Sequence, residues 1–125
     1  MKYTLDKTEH YLYIEIHSDK IDALKTPQLK TDLTTFNAEG NKNIIMDFGN
    51  VKYIDSSGLS AILLANRLCE TVGGLFVLCK LNDTTKKLIT ISQLDKVLTI
   101  LPTKEEAIDA IFLHEIESDI ESEQE

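Results

Sequence analysis

The four residues Asp55-Ser56-Ser57-Gly58 could carry chemistry because they lie where a helix is predicted to begin. They follow a short buried strand predicted over residues 43–48 and a loop. The first turn of a helix leaves backbone N–H groups without partners and carries a partial positive charge, so a phosphate is stabilised there. A serine at this point can be phosphorylated without unfolding the helix, which adds about −1.5 to −2 charges at pH 7. Beside Asp55 that charge would repel an acidic or apolar partner surface, so the segment has the properties of a switch.

The same segment also has a purely structural interpretation. Asp and Ser are among the best N-cap residues, and Gly58 could simply permit close packing. Spacing alone favours this helix cap, so the residues by themselves leave both interpretations open.

A serine beside an aspartate also suggests a hydrolase, but the histidines argue against one. A Ser-His-Asp site needs a histidine base within hydrogen-bond reach of the serine. His10 and His17 fall on the predicted hairpin and His114 in the tail, and none is expected near Ser57. The sequence also has no G-x-S-x-G elbow. We therefore expect a protein that is not an enzyme.

Three carboxylates, Asp22, Asp47 and Asp55, could together suggest a magnesium site. Asp47 ends a predicted strand, and hydrogen bonding within the adjacent loop explains a carboxylate there equally well. Gly73-Gly74 is not a phosphate-binding loop and fits a helix ending instead. We therefore expect no metal and no cofactor.

The elements that position this segment follow from hydrophobic periodicity. Residues 2–6 and 10–17 are predicted strands joined by a short turn. In the second strand, Leu12, Ile14 and Ile16 alternate with residues such as Tyr13, which predicts one buried and one wet face. The whole order is ββαβαβαβα, typical of an α/β fold with right-handed crossovers and a mostly parallel sheet. The alternation further predicts helices mainly on one face of this sheet.

Capping and helix-breaking residues mark the predicted helix ends, and a last short strand is predicted over residues 96–100. The marking residues are Thr26-Pro27 and Gly40 for the first helix, Gly73-Gly74 for the second, Asn82 or Asp83 for the third, and a Thr103–Glu106 capping box for the fourth.

The acidic C-terminal segment, residues 113–125, has two interpretations. It holds six of the 21 acidic residues and no Lys or Arg, which is typical of disorder. An apolar residue nevertheless recurs every four positions at Ile108, Phe112, Ile116 and Ile120, which continues the last helix as an amphipathic stripe. We predict a helix through about Ile116 with fraying beyond it, or disorder instead. Its role would be that of a solubilising end, with a partner-binding helix as the alternative.

Composition excludes several classes of function. The 21 acidic and 13 basic residues give a net charge of −8, and no segment is basic enough to follow a phosphate backbone. The sequence has neither an apolar run of about 18 residues nor a signal-peptide pattern at its start, which predicts a cytoplasmic protein without membrane insertion. Cys69 and Cys79 form no ligand cluster and are expected to be reduced core thiols.

Residues 44–59 resemble the signature of the STAS domain, and more narrowly that of the bacterial anti-sigma factor antagonists. The likeness rests on the hydrophobic strand ending at Asp47, on Val51 and Ile54, and on the Asp-Ser-Ser-Gly-Leu run from Asp55. Lys20-Ile21-Asp22-Ala23 resembles a Leu-Asp-Ala-like turn of that family, and the likeness covers about residues 2–112. It implies a β-α superhelix, with a STAS domain over residues 1–112 followed by the acidic extension.

The resemblance also implies roles for individual residues. Ser57 matches the usual phosphoacceptor, with Ser56 as a secondary candidate. Asp55 would shape the acceptor loop, and Asp22 would lie on a neighbouring loop of the same surface. Gly58 and Leu59 complete the implied partner-binding segment.

The implied partners are an anti-sigma factor serine kinase and a PP2C-type phosphatase. The kinase would bind the unphosphorylated chain and release its sigma factor, and phosphorylation would end that binding. ATP and magnesium would belong to the kinase. The chain lacks the glycine that commonly precedes the Leu-Asp-Ala-like turn, which makes Asp22 a weaker match than Ser57. The alternative is a non-catalytic STAS subunit of an ABC transporter or scaffold assembly, in which the serine segment is only a cap and docking loop.

Overall fold

The computed structural model describes residues 1–124, with side chains through Glu121, and it contains seven strands and four α-helices. The strands are β1 (Tyr3–Lys7), β2 (Leu12–Ile16), β3 (Lys20–Ile21), β4 (Ile44–Asp47), β5 (Tyr53–Ile54), β6 (Phe76–Cys79) and β7 (Thr99–Leu101). The helices are α1 (Thr26–Ala38), α2 (Ser56–Thr71), α3 (Asp83–Ile91) and α4 (Lys104–Gln124), with a short 3-10 helix at Leu94–Lys96.

The main sheet has five strands in the order β1-β2-β4-β6-β7. β1 and β2 form an antiparallel hairpin, and every other neighbouring pair is parallel. This confirms the predicted α/β fold with a mostly parallel sheet. β3 and β5 form a separate two-stranded parallel sheet that the sequence pattern did not predict. Each has only two residues, which is too short for a periodicity to be visible.

The main core lies between one face of the sheet and three helices. Leu12, Ile14 and Ile16 of β2 enter it, as the alternation predicts. Buried residues of α1, α2 and α3 close the core from above, including Leu33, Ile62 and Ile89. The prediction that the helices lie mainly on one face is therefore confirmed.

The opposite face of the sheet is covered by α4. Ala107 and Ile111 pack there against Tyr13, Ile45 and Val77. The interpretation of Tyr13 as a residue on a wet face is wrong, since only 4% of it is exposed. The reason is that an amphipathic tyrosine alternates in the sequence like a polar residue, whereas the covering helix comes from the far end of the chain.

Most predicted helix ends are confirmed, but the start of α1 and the start of the last strand differ from the prediction. Asn82 caps α3 by accepting from the Thr85 N–H at 2.8 Å. Thr26 is not the N-cap of α1 but lies inside the first turn, and its hydroxyl donates to the Asp22 carbonyl at 2.7 Å. The last strand begins later than predicted, at Thr99, because the residues before it form the 3-10 helix.

The last helix continues beyond Ile116, where the sequence predicted fraying, to Gln124. An apolar repeat of four residues drifts around a helix, because four residues turn it by about 400°. The repeat therefore starts half-buried at Ile108 and is exposed at Ile116 and Ile120. The domain boundary at residue 112 stays a prediction.

Candidate functional site

Asp55 organises the start of α2. It precedes the helix in an extended conformation, and its Oδ1 atom accepts from the N–H groups of Ser57 at 2.9 Å and Gly58 at 3.1 Å. Its second carboxylate oxygen accepts from the Ala23 N–H at 3.2 Å. One side chain therefore caps the helix and ties it to the loop that follows β3.

Asp22 organises that neighbouring loop. Its carboxylate accepts from the N–H groups of Leu24 at 3.1 Å and Lys25 at 3.3 Å, which closes a tight turn before α1. Its hydrogen bonds run within this loop, and the bond from Ala23 to Asp55 joins the two loops. The structure therefore brings the Asp22 loop and Asp55 together, and the Asp22 carboxylate shapes its own loop.

Ser57 lies at the rim of an open depression between α1 and α2. The depression has a volume of about 460 Å³, and Ser56, Ser57 and Ser60 line its α2 side. Ser57 is half-buried and Ser56 is exposed. Within the described part of the chain, the Ser57 hydroxyl makes no hydrogen bond. The backbone N–H of Ser57, in contrast, is held by Asp55.

Lys30 of α1 lines the same depression from the opposite side. Its Nζ atom donates to the Ser60 hydroxyl at 2.8 Å, which places an ammonium group one helical turn along α2 from the start of the helix. No sequence pattern predicts a role for this residue, because only the packing of α1 against α2 brings it there.

Gly58 and Leu59 shape the site from beneath. Gly58 is buried, and a Cβ atom at this position would lie 2.8 Å from the Ile21 carbonyl oxygen and 3.1 Å from the Cβ atom of Ile54. Leu59 packs into the main core with 9% exposure. α2 is thus pressed closely onto the small β3–β5 sheet, which fixes the position of the two serines.

A second, apolar groove lies on the other side of the serine segment. It has a volume of about 550 Å³ between α2, β5 and α3, and Ser56 lies on its rim. Tyr53 and Ile91 border it with 50% and 79% of their surfaces exposed. Leu24, on the loop joined to Asp55, is 90% exposed. Such exposed apolar side chains are typical of a docking surface.

The remaining candidate residues lie elsewhere. Hydrogen bonds hold His10 to Glu115, His114 to the Gly73 carbonyl, and His17 to Thr4, all away from the depression. The structure therefore does not assemble a serine–histidine pair at Ser57.

Asp47 is buried on the side of the sheet that α4 covers, and it does not lie with Asp22 and Asp55. It accepts from the Tyr13 hydroxyl at 2.5 Å and from the Gly49 N–H at 2.7 Å, and Lys80 lies 3.4 Å away. Burial, with help from the bond to Asp47, holds the pKa of Tyr13 well above its usual range. The attraction of Asp47 also raises the pKa of Lys80. The local hydrogen bonding expected for Asp47 is present, and it extends to a buried tyrosine.

Comparison with known proteins identifies the family of this domain. The sequence profile of the STAS domain matches residues 2–107. The chain belongs to the STAS domain family. The STAS match spans both sheets, the serine segment and the first turn of α4. None of the helices in residues 1–124 is both long enough and apolar enough to cross a membrane.

Two of the relatives carry the name anti-sigma factor antagonist. The chain is 28% identical over 107 residues to BtrV of Bordetella bronchiseptica, which is named as an anti-sigma factor antagonist, covering 86% of this chain and 91% of BtrV. The anti-sigma factor antagonist SpoIIAA in its unphosphorylated form superimposes with a TM-score of 0.69 at 25% identity, covering 88% of this chain and 97% of SpoIIAA. SpoIIAA of Bacillus in the phosphorylated form gives a TM-score of 0.68 at 27% identity, covering 88% of this chain and 99% of SpoIIAA.

A sulfate transporter family protein of Wolinella succinogenes shares the fold as well. It superimposes with a TM-score of 0.70, covering 82% of this chain and 84% of that protein. At 20% identity, this likeness concerns the fold alone.

Proposed function

We propose that this chain is an anti-sigma factor antagonist that phosphorylation of Ser57 switches off. The unphosphorylated form binds an anti-sigma factor serine kinase in the cytoplasm and so frees a sigma factor. Phosphorylation ends that binding, and a PP2C-type phosphatase restores it. The chain itself acts as a binding module, without catalytic residues, and ATP and magnesium act in the kinase.

The observation that carries this proposal is the accessible Ser57 hydroxyl at the start of α2. A phosphoacceptor must reach the active site of another protein, and Ser57 lines an open depression. A hydroxyl packed inside the core would have contradicted the proposal. The rigid backbone around it, held by Asp55, presents the serine in a fixed position.

The physical basis of the switch is the charge that a phosphate adds to an apolar docking surface. Leu24 on the loop before α1, Tyr53 on β5 and Ile91 at the end of α3 lie next to the serine segment, and all three are exposed. A partner that covers these side chains would have to desolvate a phosphate carrying about −1.5 to −2 charges. Asp55 adds a further negative charge at the same point, so the phosphorylated surface binds poorly.

The names of the relatives support the same role. BtrV and SpoIIAA are both named as anti-sigma factor antagonists, and SpoIIAA exists in a phosphorylated form. The matches cover most of each protein, so the likeness concerns the whole domain.

Phosphate mapping tests the proposal directly. The protein is incubated with its candidate kinase and ATP, and the modified residue is located by mass spectrometry. We expect phosphate on Ser57, with Ser56 as the secondary site. If neither serine is modified, the proposal is wrong. Stable co-purification with an ABC-transporter ATPase, again without phosphorylation, would favour the alternative role of a transporter subunit.

Substitutions at Ser57 test the switch itself. Ser57→Asp should weaken binding to the kinase by about tenfold or more, since it places a charge on the docking surface. Ser57→Ala should bind as the wild type does but should not be released by ATP. Calorimetry on the three proteins measures both effects, with Ser118→Asp on α4 as the matched control for added charge. Equal affinities for the three forms would contradict the mechanism.

A further inference from the structure

The two halves of α4 have different surroundings. In the first half, Ala107 and Ile111 are fully buried against the sheet. In the second half, Leu113, Ile116 and Ile120 are 57%, 55% and 49% exposed. The STAS match ends at residue 107, so this second half extends beyond the family domain.

The exposed apolar residues form one stripe on the outer side of the helix. Residues 113, 116 and 120 are spaced by three and four, which places them on a common face at about 100° per residue. By the same rotation, Ala107 and Ile111 point in nearly the opposite direction, towards the sheet. An ordinary surface helix has a polar outer face. α4 instead has apolar residues on the side that faces the sheet and also on its outer side. This pattern is typical of a helix that is packed between two protein surfaces.

The middle of α4 is held firmly to the domain. His114 hydrogen-bonds to the Gly73 carbonyl at 3.0 Å, and His10 contacts the Glu115 carboxylate at 3.0 Å. The rings of His10 and Phe112 lie 4.8 Å apart. These contacts fix the outer direction of the apolar stripe.

The charges beside the stripe decide what can cover it. Exposed acids lie next to it at Asp109, Glu117 and Asp119, and the sequence contains no Lys or Arg after Lys104. Two such acidic helices would repel each other, so a second copy of this chain is not expected to cover the stripe. A groove with an apolar floor and Lys or Arg along its edges complements both the stripe and the acids.

The stripe and Ser57 lie at opposite ends of the sheet. α2 starts beyond the carboxyl end of β4, whereas His10 and Gly73, which contact α4, precede the amino ends of β2 and β6. A partner on the second half of α4 therefore leaves the serine surface free.

We propose that residues 113–120 of α4 are a docking helix for a protein groove that is apolar and edged by basic residues, separate from the Ser57 surface. This docking does not depend on the proposed kinase or on phosphorylation. The chain could then bind two partners at once, one of them under control of the switch.

The test uses the full chain and two synthetic helical peptides as probes. One peptide consists of Leu and Lys with its leucines on one face, and the matched peptide has Glu in place of Lys.

The stripe variant carries Leu113→Gln, Ile116→Gln and Ile120→Gln, and these substitutions keep every acidic residue and favour the helix. The control variant carries Leu5→Gln, Val72→Gln and Val97→Gln, which remove apolar side chains that are 43%, 48% and 56% exposed outside both the stripe and the Ser57 surface. Circular dichroism confirms that both variants keep their helices, and fluorescence anisotropy measures binding.

We expect the Leu/Lys peptide to bind the wild type and the control variant equally, and the stripe variant at least about tenfold more weakly. In NMR spectra of the wild type, the shifted amides should lie on α4. The proposal is overturned if the stripe variant binds equally, if the Leu/Glu peptide binds as well, or if sedimentation shows the wild type dimerising through the stripe.

Discussion

At the residue scale, Asp55 does more than the capping that its sequence position predicts. A usual N-cap side chain satisfies one or two N–H groups of its own helix. Asp55 accepts two such bonds and a third from Ala23 on a separate loop. It therefore fixes the Ser57 backbone and the neighbouring loop in one arrangement, which suits the phosphoacceptor role that we propose for Ser57.

Asp55→Ala should lower the free energy of unfolding by about 1–2 kcal/mol, since it removes the cap of α2. It should also speed amide exchange at Ala23, which loses its acceptor. Urea unfolding and hydrogen exchange measure the two effects. Thr103→Ala is the control, because it removes a single capping bond, from Glu106, on α4. If Ala23 exchanges equally in both variants, Asp55 does not couple the loop to the helix.

Lys30 should stabilise a phosphate on Ser57, because its ammonium group lines the same depression. Phosphoserine can be incorporated at position 57 during synthesis, so this test needs no kinase. In a 31P NMR titration, Lys30→Met should raise the second pKa of the phosphate, ordinarily about 6, by a few tenths of a unit. Lys42→Met, at the other end of the strands, should leave it unchanged. Identical titration curves for the three proteins would show that Lys30 is too distant to act.

At the scale of elements, the close contact between α2 and the small β3–β5 sheet determines where the site lies. Gly58 allows the first turn of α2 to approach the Ile21 carbonyl. The helix start and the Asp22 loop are then near enough for the Ala23–Asp55 bond. Two strands of two residues each, absent from the sequence prediction, are thus the support on which the site is built.

Gly58→Ala should destabilise the protein by about 1–3 kcal/mol. Helix propensity alone predicts the opposite, a gain of about 1 kcal/mol. The contact decides the sign, since the new Cβ atom would meet a backbone oxygen at 2.8 Å and backbone cannot move aside cheaply. Urea unfolding measures the change, with Arg67→Ala on the exposed side of α2 as control. A stabilised Gly58→Ala protein would mean that α2 can shift away from β3.

At the scale of the whole molecule, the sheet is buried on both faces, and titratable groups are buried with it. Burial raises the pKa of the Cys69 thiol to about 12 and raises that of Cys79. Burial also raises the pKa of Tyr13, whose ring lies beneath Lys104. All of these groups are neutral when protonated, and the folded state favours that form.

The protein should therefore lose stability in alkali. A group whose pKa is raised in the folded state stabilises it fully below the unfolded pKa, about 8.5 for Cys and 10 for Tyr, and this contribution is lost as pH rises towards the folded value. In urea unfolding experiments, the contribution of these groups to the free energy of unfolding should be nearly constant up to about pH 8 and should fall above about pH 9. The free energy of unfolding should fall less steeply with pH for Tyr13→Phe than for Tyr53→Phe, because the Tyr53 ring is half exposed in the folded protein. Equal slopes for the two variants would contradict the role of Tyr13.

The sequence by itself determined the order of the main elements, the α/β class, the helix start at Asp55 and the serines that follow it. These features depend on periodicity and capping, which act over a few neighbouring residues. Only the tertiary structure decided that Tyr13 is buried, that Lys30 faces the serines, that β3 and β5 support them, and that the apolar stripe of α4 points outwards. Each of these depends on which distant segment packs against which, and a local pattern carries no information about a neighbour that lies tens of residues away in the chain.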